Sequence, residues 1–395
     1  MDTESAARPD GTRSWIVAVV GAVAMVFTFG TPMSYGIFRD PFSDAFGASP
    51  ISLSVAFAIM LFAFYIGSGL VGVFGVRAPA RALLFVCTLA LACLAPSLYL
   101  VDSVVALTVV FVVLGLALGT GFVVIASVVP RWFEVRRGTA TGLIFAGNGF
   151  GLFVVPPTWQ YALAEFGVRR GFLVVTTVTA FTFLLATAVC ERPAWVERSS
   201  ASAEELLEWL GRLAGTRTFR LLFVGMALSF AWYQLLAAFA VDLFAYRGLT
   251  QTGASVAFGL IGGVSIVSRI SGGYLGDLVG TRSAFLASLV CVNFGVVLLF
   301  FPGVPTMLVA VFLLGLGLGG SATLYIPLVM NIYASEMDTA IVGVFTGSGG
   351  IAALAMPPLG TASVAYTDGF TVAIGLTLAT IACGTWAVTA GTSGT

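Results

Sequence analysis

The sequence predicts an all-α membrane protein with twelve transmembrane helices in two pseudo-symmetric six-helix bundles. Three observations predict it. Of 395 residues, 59% are hydrophobic and only 9% charged, and mean hydropathy is +1.04. That is more apolar surface than a water-soluble fold needs. Apolar segments of about 20 residues recur along the whole length, where a barrel would show ~10-residue alternating strands. The two halves also repeat each other in order.

In the first half the spans run Ser14–Phe38, Ile51–Phe74, Ala82–Leu100, Val104–Val129, Gly138–Tyr161 and Gly171–Cys190. In the second they run Leu221–Phe244, Gly253–Gly276, Ser283–Phe301, Pro305–Asn331, Thr339–Thr361 and Gly369–Val388. Glycine and proline inside them are compatible with membrane helices, whose neighbours satisfy the freed backbone groups. The polar amino terminus, MDTESAARPDGTRSW, lacks the layout of a cleaved signal peptide, so the first helix is expected to remain. Between the halves, Ala203–Leu213 reads as an amphipathic surface helix. The expected units are therefore 1–190, a linker 191–220 and 221–395.

The repeat has an offset of about 200 residues. Ser54-Val-Ala-Phe57 returns as Ser255-Val-Ala-Phe258, and Gly115/Gly119 as Gly315/Gly319. Gly142 and Pro156-Pro157 return as Gly343 and Pro357-Pro358. Any one match is weak; the constant order and offset make duplication the better reading. Parallel repeats of this kind bind substrate between the halves near the midplane. Gly115/Gly119, Gly315/Gly319, Gly147/Gly151 and Gly259/Gly263 are small-xxx-small pairs that admit close helix approach.

An even number of spans puts both termini on one side. With that side inside, thirteen arginines are cytoplasmic and four are outside: Arg39, Arg169, Arg170 and Arg247. The positive-inside bias thus predicts cytoplasmic termini, here in a cell membrane.

All eighteen cations are arginine, with no lysine or histidine. This removes the commonest titrating base and metal ligand. Five cysteines fall in apolar segments without a CxxC pair, so they are expected to be free, buried and inert. No GxxxxGK[ST], HExxH or GxSxG motif occurs, so neither ATP-driven transport nor an enzyme is indicated. No cofactor or metal is expected. Zero net charge and no basic patch give no sign of a nucleic-acid partner.

One charge stands apart. Arg269 lies in the eighth span, roughly 12 Å before its acidic end at Asp277, close to the bilayer midplane. A cation there costs at least ~2.5–3.5 kcal/mol unless it faces water, a partner or a ligand. A snorkelling or structurally paired arginine is the plain reading. An anion-binding arginine is the favoured one, because no other charge lies so deep. Its planar fork suits a carboxylate. Tyr35, Tyr65, Asn148, Tyr233, Gln234 and Tyr325 sit on helices expected to line a central cavity and could orient the rest of a ligand. Each tyrosine also fits interfacial anchoring, and Asn148 and Gln234 fit helix–helix bonding. Asp242 reads as interfacial, and Glu336 and Asp338 as solvated loop charges.

Gly273-Tyr-Leu-Gly-Asp277-Leu-Val-Gly280-Thr-Arg282 resembles the loop signature of the major facilitator superfamily between helices 8 and 9. The resemblance implies that fold, and a latch at the cytoplasmic helix ends formed by Gly273, Asp277 and Arg282 with Arg136 and Arg137. In the first half Val76 replaces the acid. Asp10-Gly-Thr-Arg-Ser-Trp15 is similar to the stretch that opens helix 1 of monocarboxylate porters. Arg131-Trp-Phe-Glu-Val-Arg136-Arg137-Gly-Thr-Ala-Thr-Gly142-Leu-Ile-Phe-Ala146-Gly147 resembles their loop into helix 5. With Arg269, the second stretch is also similar to oxalate–formate antiporters. Where the porters carry a helix 1 lysine this chain has Met33, and where they place an acid before the helix 8 arginine it has Ser265.

These residues imply a secondary or facilitative transporter of small organic anions, monocarboxylates in particular, acting as a monomer by alternating access. With no lysine, histidine or deep acid beside Arg269, anion exchange or facilitated diffusion is favoured over obligatory proton symport. The alternatives are a proton-coupled symporter using Asp242, a carrier of another small solute, and a non-transporting receptor.

Overall fold

The computed structural model describes residues 8–74, 78–193, 203–333 and 338–393. Among the described residues the secondary structure is helical, with no strand. The first pass is α1 (Thr12–Gly30) and α2 (Tyr35–Phe46), joined by a 3-10 turn at Pro32–Ser34. Proline 32 has no N–H to give the preceding turn, which loosens the helix at this point. Then come α3 (Pro50–Phe74), α4 (Ala80–Leu94) and α5 (Val104–Val128). α6 (Arg137–Val189) has 53 residues and a non-helical Gly167 at φ 74°. Its ~80 Å at 1.5 Å per residue covers two bilayer crossings.

The linker carries α7 (Ala203–Ala214), at the amphipathic stretch read from the sequence. It touches α3 and α8, with Trp209, Leu210 and Leu213 packed inward. The seventh pass is split again, into α8 (Arg217–Ala237) and α9 (Ala240–Tyr246). α10 (Gln251–Val279), α11 (Thr281–Leu298), α12 (Val304–Ile332), α13 (Asp338–Thr367) and α14 (Thr371–Gly391) complete the chain. Eleven helical stretches are long and apolar enough to cross a membrane, and Thr139–Val189 counts as two. The twelve expected passes are therefore present.

Two boundaries differ from the sequence reading. Residues 162–170, expected as a loop, stay helical apart from Gly167, because that single positive-φ residue is enough to redirect the chain. The matching turn in the second half falls at Asp368, φ 47°. The first and seventh passes, expected as continuous, are both broken toward the face opposite the termini. Side-chain caps start α5, α8 and α10: Ser103, Thr216 and Thr250 accept from the N–H groups of Ala106, Phe219 and Gly253.

The repeated glycines set the packing. A Cβ on Gly115 or Gly119 would fall under 3.0 Å from the carbonyl oxygens of Met60 and Phe64, so α5 lies on the backbone of α3. Gly315 and Gly319 meet the carbonyls of Ile261 and Ser265 in the same way, laying α12 on α10. One interface has thus been built twice, 200 residues apart. Gly147 and Gly151 bring α6 onto Ala22 and Val26 of α1. Across the halves α3 packs on α13, and α10 on α6. Cys87 and Cys190 are buried as expected. Cys93 and Cys383 are exposed on membrane-spanning helices, and all five thiols are free. An apolar segment fixes membrane depth but not which helix side faces neighbours, which explains the difference.

Gly119→Val should destabilise the protein by about 1–3 kcal/mol, since the backbone it meets cannot yield. Gly142→Ala, whose Cβ meets nothing within 4 Å, should be neutral or stabilising by up to about 1 kcal/mol. Unfolding of the purified variants in detergent by heat reads both.

Candidate functional site

The passes that meet at the bundle centre leave a cavity of about 70 Å³. Arg269 reaches it from α10. The residue is only 2% exposed, and its Nε is buried with no hydrogen-bond partner. No acidic side chain is among the described residues of the lining. The guanidinium lies against Gly149 of α6, whose added Cβ would come within 3.2 Å of Arg269 Nε.

Facing it are Asn148 on α6 and Gln234 on α8, both buried. Asn148 Nδ2 and Gln234 Oε1 have no partner. Gln234 Nε2 donates to the Tyr65 hydroxyl at 3.0 Å, linking α8 to α3. The Tyr325 hydroxyl pairs with Thr346 Oγ1 at 3.1 Å. Tyr233 stacks on Phe258 at 5.7 Å. Phe29, Phe64, Phe122, Phe145, Phe230 and Trp232 supply an aromatic wall, and Met33 stands beside them. The arrangement is one fixed cation, a few unsatisfied polar atoms and an apolar enclosure. Such a cavity can hold a small anion with an apolar body.

Of the seven residues read from the sequence as substrate-binding, six line this space. Tyr35 does not. Its hydroxyl donates to the Pro50 carbonyl at 3.1 Å and its ring stacks on Phe57 at 4.5 Å, so it anchors α2 to α3. The sequence reading missed Ser229, Ser321 and Thr346. Their hydroxyls bond to the fourth preceding carbonyl of their own helix, and nothing in the sequence separates them from other helix-satisfied hydroxyls. Ser265 also turns inward, donating to Gly262 O at 2.7 Å.

The surroundings are asymmetric. Toward the face that carries the termini, a further space of about 390 Å³ is lined by Ser127, Arg131, Met330 and Gly343. It shares Phe122, Phe145, Tyr325 and Thr346 with the central cavity. Toward the opposite face, Arg39 of α2 pairs with Asp242 of α9 at 2.5 Å and 3.3 Å through both guanidinium nitrogens. Asp40 adds a second contact to Arg39 at 2.8 Å. The two broken passes, first and seventh, are thus tied to each other.

At the terminal face, the two stretches that resembled monocarboxylate porters meet. Asp10 accepts from the backbone N–H groups of Glu134, Val135 and Arg136 at 3.0, 3.0 and 2.9 Å. Arg13 pairs with Glu191 at 2.5 Å and lies over Trp132. Trp15 meets Phe133 edge-on at 5.0 Å. Hydrogen bonds from Val135, Glu134 and Arg136 outweigh desolvation and hold the Asp10 carboxyl below the usual range.

The residues expected to form the latch lie apart from one another where their side chains are described. Arg282 Nε donates to Thr392 Oγ1 at 2.8 Å, tying α11 to the end of α14. Arg136 is exposed, and Gly273 lies where a Cβ would meet nothing. The side chains of Arg137, Asp277 and Asp338 lie outside the described residues, as do Val76 and Glu336.

Twelve apolar helical passes around a buried, cation-bearing cavity define a polytopic membrane protein. The family model of the Major Facilitator Superfamily matches residues 16–357, and the chain belongs to that superfamily. An MFS-type transporter, pytF, of Aspergillus terreus is 27% identical over 290 residues, 71% of this chain and 95% of the relative. Monocarboxylate transporter 13 of Bos taurus is 29% identical over 317 residues, 76% of this chain and 71% of the relative. An oxalate:formate antiporter of Oxalobacter formigenes is 27% identical over 183 residues, 45% of this chain and 43% of the relative.

Asp10→Asn tests the terminal-face cluster. A lowered carboxyl pKa contributes stability above the unfolded pKa, and that contribution is lost as pH falls through the folded value. The melting-temperature gap between wild type and Asp10→Asn should be widest at neutral pH and close on acidification. Asparagine also tolerates the positive φ of 57° at this position.

Proposed function

We propose that this chain carries small monocarboxylate anions across the membrane by alternating access, with Arg269 as the anion site. The carrying observation is the buried guanidinium with an unpartnered Nε and no acid beside it among the described lining residues. An unpaired buried charge is costly, and an incoming carboxylate relieves that cost. A single cation suits one negative charge better than two. Met33, where monocarboxylate porters carry a lysine, lines the same cavity and adds none. The names of the monocarboxylate transporter and antiporter relatives support the same substrate class.

In this reading residues 1–190 and 221–395 rock against each other as two six-helix units, and 191–220 links them. Arginine distribution supports cytoplasmic termini; the plasma membrane as location and a monomer as working unit are part of the same proposal. The wide space toward the terminal face then makes this the inward-facing state. Arg39 and Asp242 close the outside, and Asn148, Gln234, Tyr65, Tyr233 and Tyr325 orient the ligand. Asp242, the acid weighed for proton coupling, is held by Arg39 rather than facing Arg269. That supports exchange or facilitated diffusion, because the anion site has no carboxylate, lysine or histidine among the described lining residues.

Two measurements test the proposal. The first concerns the outer closure. With the native cysteines replaced, Met33→Cys should react with an impermeant thiol reagent from outside about two- to five-fold faster once Asp242→Asn is added. The pair Arg39→Asp with Asp242→Arg should restore the slow rate. An unchanged rate in Asp242→Asn would remove the ion pair from the gate.

The second concerns the anion site. Arg269→Gln should weaken acetate or pyruvate binding about ten- to hundred-fold, the ~1.5–3 kcal/mol of a hydrogen bond to a charged group. Arg269→Lys should recover only part of it, since the bidentate fork is gone. Normal carboxylate uptake into proteoliposomes by Arg269→Gln would overturn the assignment.

A further inference from the structure

The Arg269 guanidinium borders two spaces. One is the central cavity. The other is a groove of about 860 Å³ bounded by α6, α10 and α12, running toward the terminal face. We propose that this groove is a lateral binding site for an amphiphilic carboxylate dissolved in the adjoining leaflet, a medium-chain fatty acid, with its acyl chain in the groove and its carboxylate on Arg269. The proposal rests on the anion-site reading of Arg269 and extends it to a second class of substrate.

Four observations carry it. First, the groove opens to the lipid-facing side of the bundle. Ile270 and Tyr274 line it, and they are 64% and 66% exposed on a membrane-spanning helix. Second, its width comes from missing side chains. Gly142 and Gly273 line it, and a Cβ on either would meet nothing within 4 Å. Other lining glycines in this fold are filled against a neighbour; Gly276, for example, faces Leu324.

Third, two buried polar atoms of groove residues have no partner, Arg269 Nε and Thr323 Oγ1. Both lie at membrane depth, where an unsatisfied polar atom invites a ligand. Fourth, the described lining holds two cations and no acid: Arg136, exposed at the head of α6, and Arg269 at the deep end. Between Arg136 and Gly149, the neighbour of Arg269, α6 rises roughly 20 Å. That length accommodates the chain of decanoate.

The physical logic is that of partition. A carboxylate in the hydrocarbon core needs a counter-charge, and its acyl chain needs an apolar surface or lipid. Phe145, Leu324 and Ile326 supply the surface, and Arg269 supplies the charge. A ligand arriving this way need not cross the aqueous vestibule. Each added methylene should tighten binding by about two- to four-fold until the groove is full.

The test compares labelled acetate with labelled decanoate on the full chain in nanodiscs. Gly142→Phe should fill the groove. Decanoate binding should fall about ten-fold or more while acetate binding stays within two-fold. Ile270→Trp is the second obstructing variant, should Gly142→Phe not fold, and Gly142→Ala should leave both ligands unchanged. Arg269→Gln should weaken both ligands. Undiminished decanoate binding in Gly142→Phe and Ile270→Trp would overturn the groove and leave Arg269 as anion site intact. So would retained phospholipid in the groove that decanoate fails to displace in native mass spectrometry. Loss of decanoate with acetate unchanged in Arg269→Gln would instead keep the groove and overturn the central anion site.

Discussion

A guanidinium charge held in the apolar centre of a helical bundle is the constraint on which the rest of this structure depends. The two glycine ridges set its position. Gly315 and Gly319 let α12 approach the backbone of α10 at Ile261 and Ser265, and a Cβ on Gly319 would lie 3.0 Å from the backbone nitrogen of Arg269. On the other side, Gly149 of α6 presents no Cβ to Arg269 Nε, which one there would approach to 3.2 Å. The cation is therefore placed by residues with no chemistry of their own. The lack of an acid among the described lining residues, more than the mere presence of the cation, gives the cavity its character. A paired arginine would be structural, whereas an unpartnered Nε is the feature on which the proposed anion site rests.

Around that charge the polar groups are few and held in place. Gln234 is fixed by Tyr65 from the opposite half, and Tyr325 by Thr346. The aromatic wall fills the remaining volume. Rigid aromatic surface and a small number of fixed polar atoms favour shape and single charge over a dense hydrogen-bond code. Met33 extends this apolar wall at the position where related porters carry a second cation.

The bundle is also asymmetric along its axis. At the face away from the termini, the two broken passes are bridged by Arg39 and Asp242, and α2 runs close to α8 at Gly36. At the terminal face, empty space separates α6 from α10 and α12. The Asp10 cluster joins α1 to the loop before α6 and so stiffens one half without bridging to the other. A molecule held at one end by an ion pair of two partly exposed side chains, and open at the other, is suited to exchange between two states. Such a pair contributes little enough to be broken.

The sequence by itself determined the lipid-soluble helical class, the number of passes, the repeat and the deep position of Arg269. Each follows from a local or periodic property: a 20-residue apolar run, a 200-residue offset, or a charge where none is tolerated without a reason. Six of the seven residues it assigned to the cavity do line it, because a polar residue in an apolar helix at mid-membrane depth has few other places to go. The tertiary structure decided the rest. Depth does not fix rotation about the helix axis, so the sequence could not tell that Tyr35 turns to Pro50, that Ser229 and Ser321 face the cavity, or that Cys93 faces outward. Nor could it pair Arg39 with Asp242, 203 residues apart. Such pairings depend on how whole helices pack across the two halves. That packing is set by backbone contacts at glycines, whose partners no single sequence names.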